Sequence, residues 1–310
     1  MPRIAKSITW LVGRTPLVEL ARLSPTGGAR VVAKLESFNP TGSNKDRAVL
    51  AMLRHAERAG FLRAGGTVIE ATAGDVGLSL AMATADLGYR LVVVMPQRHA
   101  DARGNLLRAL GAQIVFTDAA AGIGGAIARA EQLAKTTPNA LMLQPFTNRA
   151  NAHAHEQTAR EIWDDTDGEV AAVVCPVGTG GTAAGCLSFF RDLGVAVFGV
   201  EPAASPVLAG GAAGPHDLPG LGAGFVPDIL RAGDLAGVLA VSERDAFATV
   251  RELAAREGIL VGPAGGAVCA ATRELAQRPA FAGKLLVAIT PDSGERFEEH
   301  AAFAGAEACA

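Results

Sequence analysis

The chain has 310 residues, 49% hydrophobic and 19% charged, with 28 basic against 31 acidic residues and a formal net charge of −3. That length holds two lobes with a full core each, and the composition leaves no disordered bulk. The near-even charge argues against nucleic acid or an anionic membrane as partner; no apolar run reaches the roughly 18 residues of a membrane span, and no signal-like segment follows Met1-Pro2-Arg3-Ile4-Ala5-Lys6.

In chain order, Val31 to Glu36 reads as a buried strand, followed by the turn-rich loop Asn39-Pro40-Thr41-Gly42-Ser43-Asn44-Lys45-Asp46-Arg47. A helix is expected from Ala48 to Arg58, with Val49, Leu50, Leu53 and Ala56 on one side. Lys45 thus stands at a strand–loop–helix junction, where converging amides and the helix dipole favour a free amine suited to Schiff-base chemistry. Thr67 to Ala71 reads as the next strand and Gly77 to Asp86 as its helix. Between them, Thr72-Ala73-Gly74-Asp75-Val76-Gly77 offers amides that suit a substrate carboxylate; an ordinary N-cap by Thr72 or Asp75 explains the same residues equally well.

Leu91 to Met95 reads as a strand, Asp101 to Leu110 as a helix, Gln113 to Phe116 as a strand and Gly124 to Lys135 as a helix. A second series opens with the buried strand Val170 to Cys175 and continues through Ala196 to Val200 and Leu285 to Ile289. This alternation predicts α/β architecture with parallel sheets covered on both faces. Between Cys175 and the helix expected from Ala183 to Asp192 lies Pro176-Val177-Gly178-Thr179-Gly180-Gly181-Thr182. It lacks the Gly-Lys-Ser/Thr ending of a nucleoside-triphosphate loop and the dinucleotide spacing. Glycines that admit a close ligand, helix-start amides and two threonine hydroxyls favour a single phosphate over a plain turn. Leu208 to Gly224, rich in Gly and Pro, is expected to be a long connection.

Cys175, Cys186, Cys269 and Cys309 are too scattered for a metal site, which suits a reducing cytoplasm. His153 and His155 would diverge on a helix, so no metal is expected there either.

These motifs together resemble the cysteine synthase family of fold-type II pyridoxal-phosphate enzymes, closest to the O-acetylserine sulfhydrylase B branch. The resemblance runs from Gly13-Arg14-Thr15-Pro16-Leu17 to Asp292-Ser293-Gly294-Glu295-Arg296-Phe297. It takes in the whole lysine loop, Gln144-Pro145-Phe146, Glu161-Ile162-Trp163, Val200-Glu201-Pro202 and Gly220-Leu221-Gly222-Ala223-Gly224. It implies a two-lobed, three-layer αβα fold of the tryptophan synthase β type, with pyridoxal 5′-phosphate in the cleft between lobes. Residues 40–145 would form the smaller lobe, and residues 1–39 with 146–310 the larger, which carries the phosphate loop.

By the same resemblance, Lys45 holds the cofactor as an internal aldimine and later moves the substrate Cα proton. Gly178, Thr179, Gly180, Gly181 and Thr182 bind the cofactor phosphate, and Asp75 lies at the ring's 3′-oxygen. Thr72, Ala73, Gly74, Val76 and Gln144 form the substrate site. The implied reaction is β-replacement on an O-activated serine such as O-acetylserine, through an aminoacrylate, with a sulfur nucleophile to give cysteine. A changed donor or nucleophile, β-elimination, or a non-catalytic binding role are the alternatives. A small amino-acid substrate and a homodimer are implied as partners.

The chain departs from the family pattern around the ring. The usual Thr-Ser-Gly-Asn-Thr-Gly is here Thr72-Ala73-Gly74-Asp75-Val76-Gly77, which removes two hydroxyls and replaces an amide by a carboxylate. An ionised Asp75 accepts hydrogen bonds only, and beside a phenolate it would be repelled by several kcal/mol at an effective dielectric near 20. Where the family has Gly-x-Ser-Ser-Gly, whose first serine faces the pyridine nitrogen, this chain has Gly262-Pro263-Ala264-Gly265-Gly266. Thr290 or Ser293 would have to supply any replacement hydroxyl.

Overall fold

Strands and helices alternate through a computed structural model that describes residues 4–72, 74–97 and 102–304. In chain order the strands are β1 (Leu17–Glu19), β2 (Arg30–Leu35), β3 (Thr67–Ala71), β4 (Arg90–Pro96), β5 (Gln113–Thr117), β6 (Ala140–Leu141), β7 (Val170–Pro176), β8 (Ala196–Pro202), β9 (Gly237–Val241) and β10 (Leu285–Thr290). The helices are α1 (Lys45–Arg58), α2 (Asp75–Leu87), α3 (Ala102–Ala109), α4 (Gly122–Thr136), α5 (Arg149–Asp165), α6 (Gly181–Phe190), α7 (Glu243–Glu252) and α8 (Pro263–Ala276).

Contacts divide the chain into two units, one made of residues up to Val12 with Asn39–Asn151, the other of Gly13–Phe38 with Ala152–Ala310. The first unit holds a parallel sheet of order β5-β4-β3-β6. One face carries α1, α2 and α3 through a core around Val49, Leu53, Leu80 and Val93, and the other carries α4 through Ile69, Val94, Ala126 and Ala130. The sequence reading puts residues 1–39 in the larger unit. Residues 4–12 instead join the smaller one, where Thr9 Oγ1 donates to Asp86 Oδ2 across 2.6 Å.

The second unit holds a six-stranded sheet of order β1-β2-β10-β7-β8-β9, parallel except for the short edge strand β1. Leu286 and Ala288 of β10 face one core with Val268 and Leu275 of α8, while Val287 and Ile289 face the opposite core with Ile162 of α5 and Cys186 of α6. A strand with both faces covered must be apolar throughout, so the run Leu285 to Ile289 is continuous rather than alternating. Each such fully buried aliphatic side chain contributes roughly 1.5–3 kcal/mol.

Lys34 breaks that rule in β2. It is fully buried, its Nζ donating to Thr15 O at 2.6 Å and pairing with Glu161 Oε2 at 3.0 Å and Asp165 Oδ2 at 3.5 Å. Glu161 in turn accepts from the amide of Arg14 at 2.9 Å, so one charge cluster fastens the 13–16 segment and α5 to the sheet.

Candidate active site

Lys45 is the first residue of α1, directly after Asn44, and the helix begins three residues earlier than the periodicity predicts. Its buried face is Val49, Met52, Leu53 and Ala56. Met52 replaces the expected Leu50, because a rotation of 100° per residue puts 49, 52, 53 and 56 on one stripe. Lys45 Nζ, half-buried, donates to Asn44 Oδ1 at 2.6 Å. The loop before it is built to hold still. Asp46, fully buried, accepts from the Thr41 amide at 2.7 Å and from Thr41 Oγ1 at 2.5 Å.

The same loop reaches α2. Thr41 Oγ1 lies 3.3 Å from Ser79 Oγ, and Ser43 Oγ donates to Asp75 Oδ2 at 3.5 Å. The lysine loop and the start of α2 are therefore one assembly within the first unit. Neither Thr72 nor Asp75 is the N-cap of α2: Gly74 is, while the Thr72 hydroxyl accepts from the Gly74 amide at 3.2 Å. Asp75 is the first helical residue and puts its carboxylate at the positive helix end, a favourable place for an anion. Val76 follows it in the first turn, and Ala73 lies outside the described residues.

Gln144 is held close by. Its φ is +52°, a left-handed backbone that non-glycine residues rarely take, and Glu70 Oε2 accepts from the amides of Leu143 at 2.9 Å and Gln144 at 3.2 Å. Burial raises the Glu70 carboxyl above its usual range, and the amides of Gln144, Leu143 and Ala71 pull it back. A carboxyl raised in the folded state stabilises the fold below its unfolded pKa and loses that contribution as pH rises through the folded value. We expect the stability deficit of Glu70→Gln relative to the parent to narrow between about pH 4 and pH 7. Thermal melting across that range checks this, and a widening deficit would contradict it.

In the second unit, β7 runs through Pro176 into the glycine–threonine loop, and α6 starts at Gly181. Gly180, the N-cap, has φ +83° and no side chain to cap the first turn. Gly178 packs on the 218–222 segment so closely that a Cβ there would collide with Gly220 O, while the Gly222 amide donates to Val177 O at 3.0 Å. The loop shape is thus fixed by backbone packing. Helix-start amides plus the Thr179 and Thr182 hydroxyls form a donor set suited to a phosphate dianion. These residues fit the phosphate of pyridoxal phosphate.

Sequence reasoning missed what lies beneath that loop. His155 is 2% exposed, its Nε2 is 3.5 Å from Thr182 Oγ1, and its Nδ1 is 3.1 Å from Thr158 Oγ1. Gly185 permits the approach, since a Cβ there would lie 2.7 Å from His155 Cβ. The His155–Thr158 spacing on a helix was the available signal. His153 is exposed, so the two histidines do diverge, and no metal-type cluster exists among the described residues. Cys175 and Cys186, flanking the loop, are fully buried thiols; burial pushes Cys175 well above the usual thiol range and Cys269 up to about 12.

Of the two hydroxyls expected to replace the missing serine, Thr290 spends its proton elsewhere and Ser293 only accepts, keeping its own O–H. Thr290 Oγ1 donates to Lys34 O at 2.9 Å, and Ser293 Oγ accepts from the Glu295 amide at 3.4 Å.

Residues 8–292 match the family model described as pyridoxal-phosphate dependent enzyme. The chain is 43% identical over 304 residues to a probable cysteine synthase of Bacillus subtilis (strain 168), covering 96% of this chain and 97% of that one. Among solved structures, the cysteine synthase of Entamoeba histolytica superposes with a TM-score of 0.94 at 36% identity, over 98% of this chain and 92% of that one. An O-ureido-L-serine synthase superposes with a TM-score of 0.93, also at 36% identity, over 99% and 98%. These matches establish that the chain belongs to the pyridoxal-phosphate-dependent enzymes of the cysteine synthase family.

Proposed function

We propose that this enzyme makes cysteine by β-replacement on an O-activated serine such as O-acetylserine, using a sulfur nucleophile. The observation that carries the reading is Lys45 as the first residue of α1, on a loop locked by Asp46, in a chain that also keeps the whole Gly178–Thr182 loop. When bound, the cofactor supplies the electron sink for charge developing at the substrate Cα. Lys45 Nζ would hold the cofactor and, when free of it, would serve as the base at the substrate Cα–H, with Asn44 Oδ1 accepting from the amine to orient it. Thr72, the Gly74–Val76 amides and Gln144 bind the substrate carboxylate, with the Glu70 contacts holding Gln144 in register. Acetate leaves from Cβ and sulfur takes its place. Gly178, Thr179, Gly180, Gly181 and Thr182 would bind the cofactor phosphate, with His155 Nε2 3.5 Å from the Thr182 hydroxyl to orient it.

A second reading is favoured by Asp75. A carboxylate at the start of α2, followed by Val76, is tuned for a different donor or nucleophile, or for β-elimination. One experiment separates the two. Cysteine formation from sulfide is measured with O-acetylserine, O-phosphoserine and serine, for the parent and for Asp75→Asn. On the first reading Asp75→Asn increases kcat/KM with O-acetylserine about tenfold, the equivalent of relieving ~1.4 kcal/mol of charge repulsion. A marked fall supports the second. Absence of turnover with all three donors removes the first. The assembly we propose is a homodimer and the compartment the cytoplasm, which the three buried thiols among the described residues suit.

A further inference from the structure

We propose that His216, with its ring hydrogen on Nε2, is a positioning residue that sets the shape of the phosphate loop through the Gly220–Gly222 turn. The inference rests on the cofactor reading above and concerns the second unit alone. The connection 208–224 carries neither helix nor strand among the described residues, so side chains and packing must give it its shape. Glu201, 1% exposed, fixes its start by accepting from the amides of Leu208 at 2.7 Å and Ala209 at 3.1 Å. His216, half-buried, fixes its end. The Leu218 amide donates to His216 Nδ1 at 3.3 Å, and Nε2 lies 3.0 Å from Gly222 O. A carbonyl oxygen only accepts, and a ring nitrogen that accepts from an amide carries no hydrogen. Both bonds therefore need the neutral ring with its hydrogen on Nε2.

The ring sits directly on the turn. A Cβ on Gly222 would stand 2.8 Å from His216 Nε2 and 2.8 Å from Pro202 Cδ, so the turn is clamped between the imidazole and the end of β8. Gly220 and Gly222 take φ of +91° and +58°, left-handed backbone that glycine adopts at little cost and that needs outside contacts to stay fixed. The residue bearing the ring is followed by Asp217, whose amide donates to Glu243 Oε1 at 2.6 Å, and by Leu218, which is fully buried. On its far side the turn meets the phosphate loop. The Gly222 amide donates to Val177 O at 3.0 Å, and a Cβ on Gly178 would collide with Gly220 O. Gly222 thus joins the imidazole, through its carbonyl, to the start of the loop, through its amide. A loop held in its binding shape loses less freedom when a phosphate docks, which is how His216 would raise cofactor affinity without touching the phosphate.

The test combines the histidine tautomer with cofactor affinity. In protein labelled with nitrogen-15 in its histidines, long-range proton–nitrogen NMR near neutral pH should show His216 as the neutral Nε2–H form, the signal being assigned by its loss in His216→Gln. The dissociation constant for pyridoxal phosphate, followed by absorbance, should rise about tenfold in His216→Phe, as expected for one lost hydrogen bond. His216→Gln, whose side-chain amide can still donate to Gly222 O, should stay within about threefold of the parent. A proton on Nδ1 in the folded parent overturns the proposal whatever the variants do. Equal weakening in both variants, or parent-like affinity in His216→Phe, overturns it too. If His216→Phe fails to fold, the tautomer and His216→Gln decide. A folded parent that takes up no cofactor overturns the underlying reading together with the proposal, and is told apart by the missing absorbance.

Discussion

Lys45→Ala is expected to reduce turnover by roughly 10³–10⁴-fold, the range for removing a positioned proton-transfer group, and to abolish covalent capture of the cofactor by borohydride. The chain makes peptide mapping clean, because it has only five lysines: Lys6, Lys34, Lys45, Lys135 and Lys284. Lys6, Lys135 and Lys284 are exposed, and Lys34 is committed to Glu161, Asp165 and Thr15. The reduced adduct should therefore map to Lys45 alone. An adduct on any other lysine in the parent would sink the assignment, as would variant turnover within tenfold of the parent.

Lys34→Met is expected to have the largest effect on stability. Removing one member of a buried ion pair leaves the other charge stranded, typically at ~3–5 kcal/mol. Here Glu161, 8% exposed, would keep the Arg14 amide but lose the Lys34 ammonium 3.0 Å away. Urea denaturation followed by Trp163 fluorescence reports on this unit, since Trp163 lies on α5 two residues from Glu161. The double variant Lys34→Met/Glu161→Gln should recover part of the loss, because the stranded charge is gone. A single-variant loss below about 1 kcal/mol would show that the cluster contributes little.

The Asn39–Arg47 and Pro176–Thr182 loops were legible because each is a local signal: an apolar strand, a glycine-bearing turn and a helix with 3.6-residue spacing, all within about 25 residues. Thr67 to Ala71 is a strand at the predicted boundaries, and Val170 to Cys175 is extended by one residue. What the sequence could not display was anything set by packing between distant segments. Lys34 reads as part of an ordinary strand until Glu161, more than a hundred residues on, arrives beside it. His155 reads as a surface or core histidine until Gly185 lets α6 close on it. Asp292 lies in a motif quoted for its family likeness, yet its burial against Gly262 depends on the register of β10. The short strands β1, β6 and β9 were missed because three to five residues, or two in β6, carry too little periodicity to stand out.

The strand order of the second unit has a bearing on how the chain is made. Its central strand β10 pairs with β2, Leu285 opposite Arg30 and Thr290 opposite Leu35, so this ladder waits until Thr290 has been synthesised. The first unit needs nothing beyond Asn151. During translation the unit bearing Lys45 can mature while the unit bearing the phosphate loop still lacks a strand, with β2 and β7 exposing unpaired edges. A nascent chain stalled before Leu285 would hold a finished first unit beside a second unit with open, aggregation-prone strand edges. The late arrival of β10 therefore leaves the β7 edge open until Leu285–Thr290 has been made.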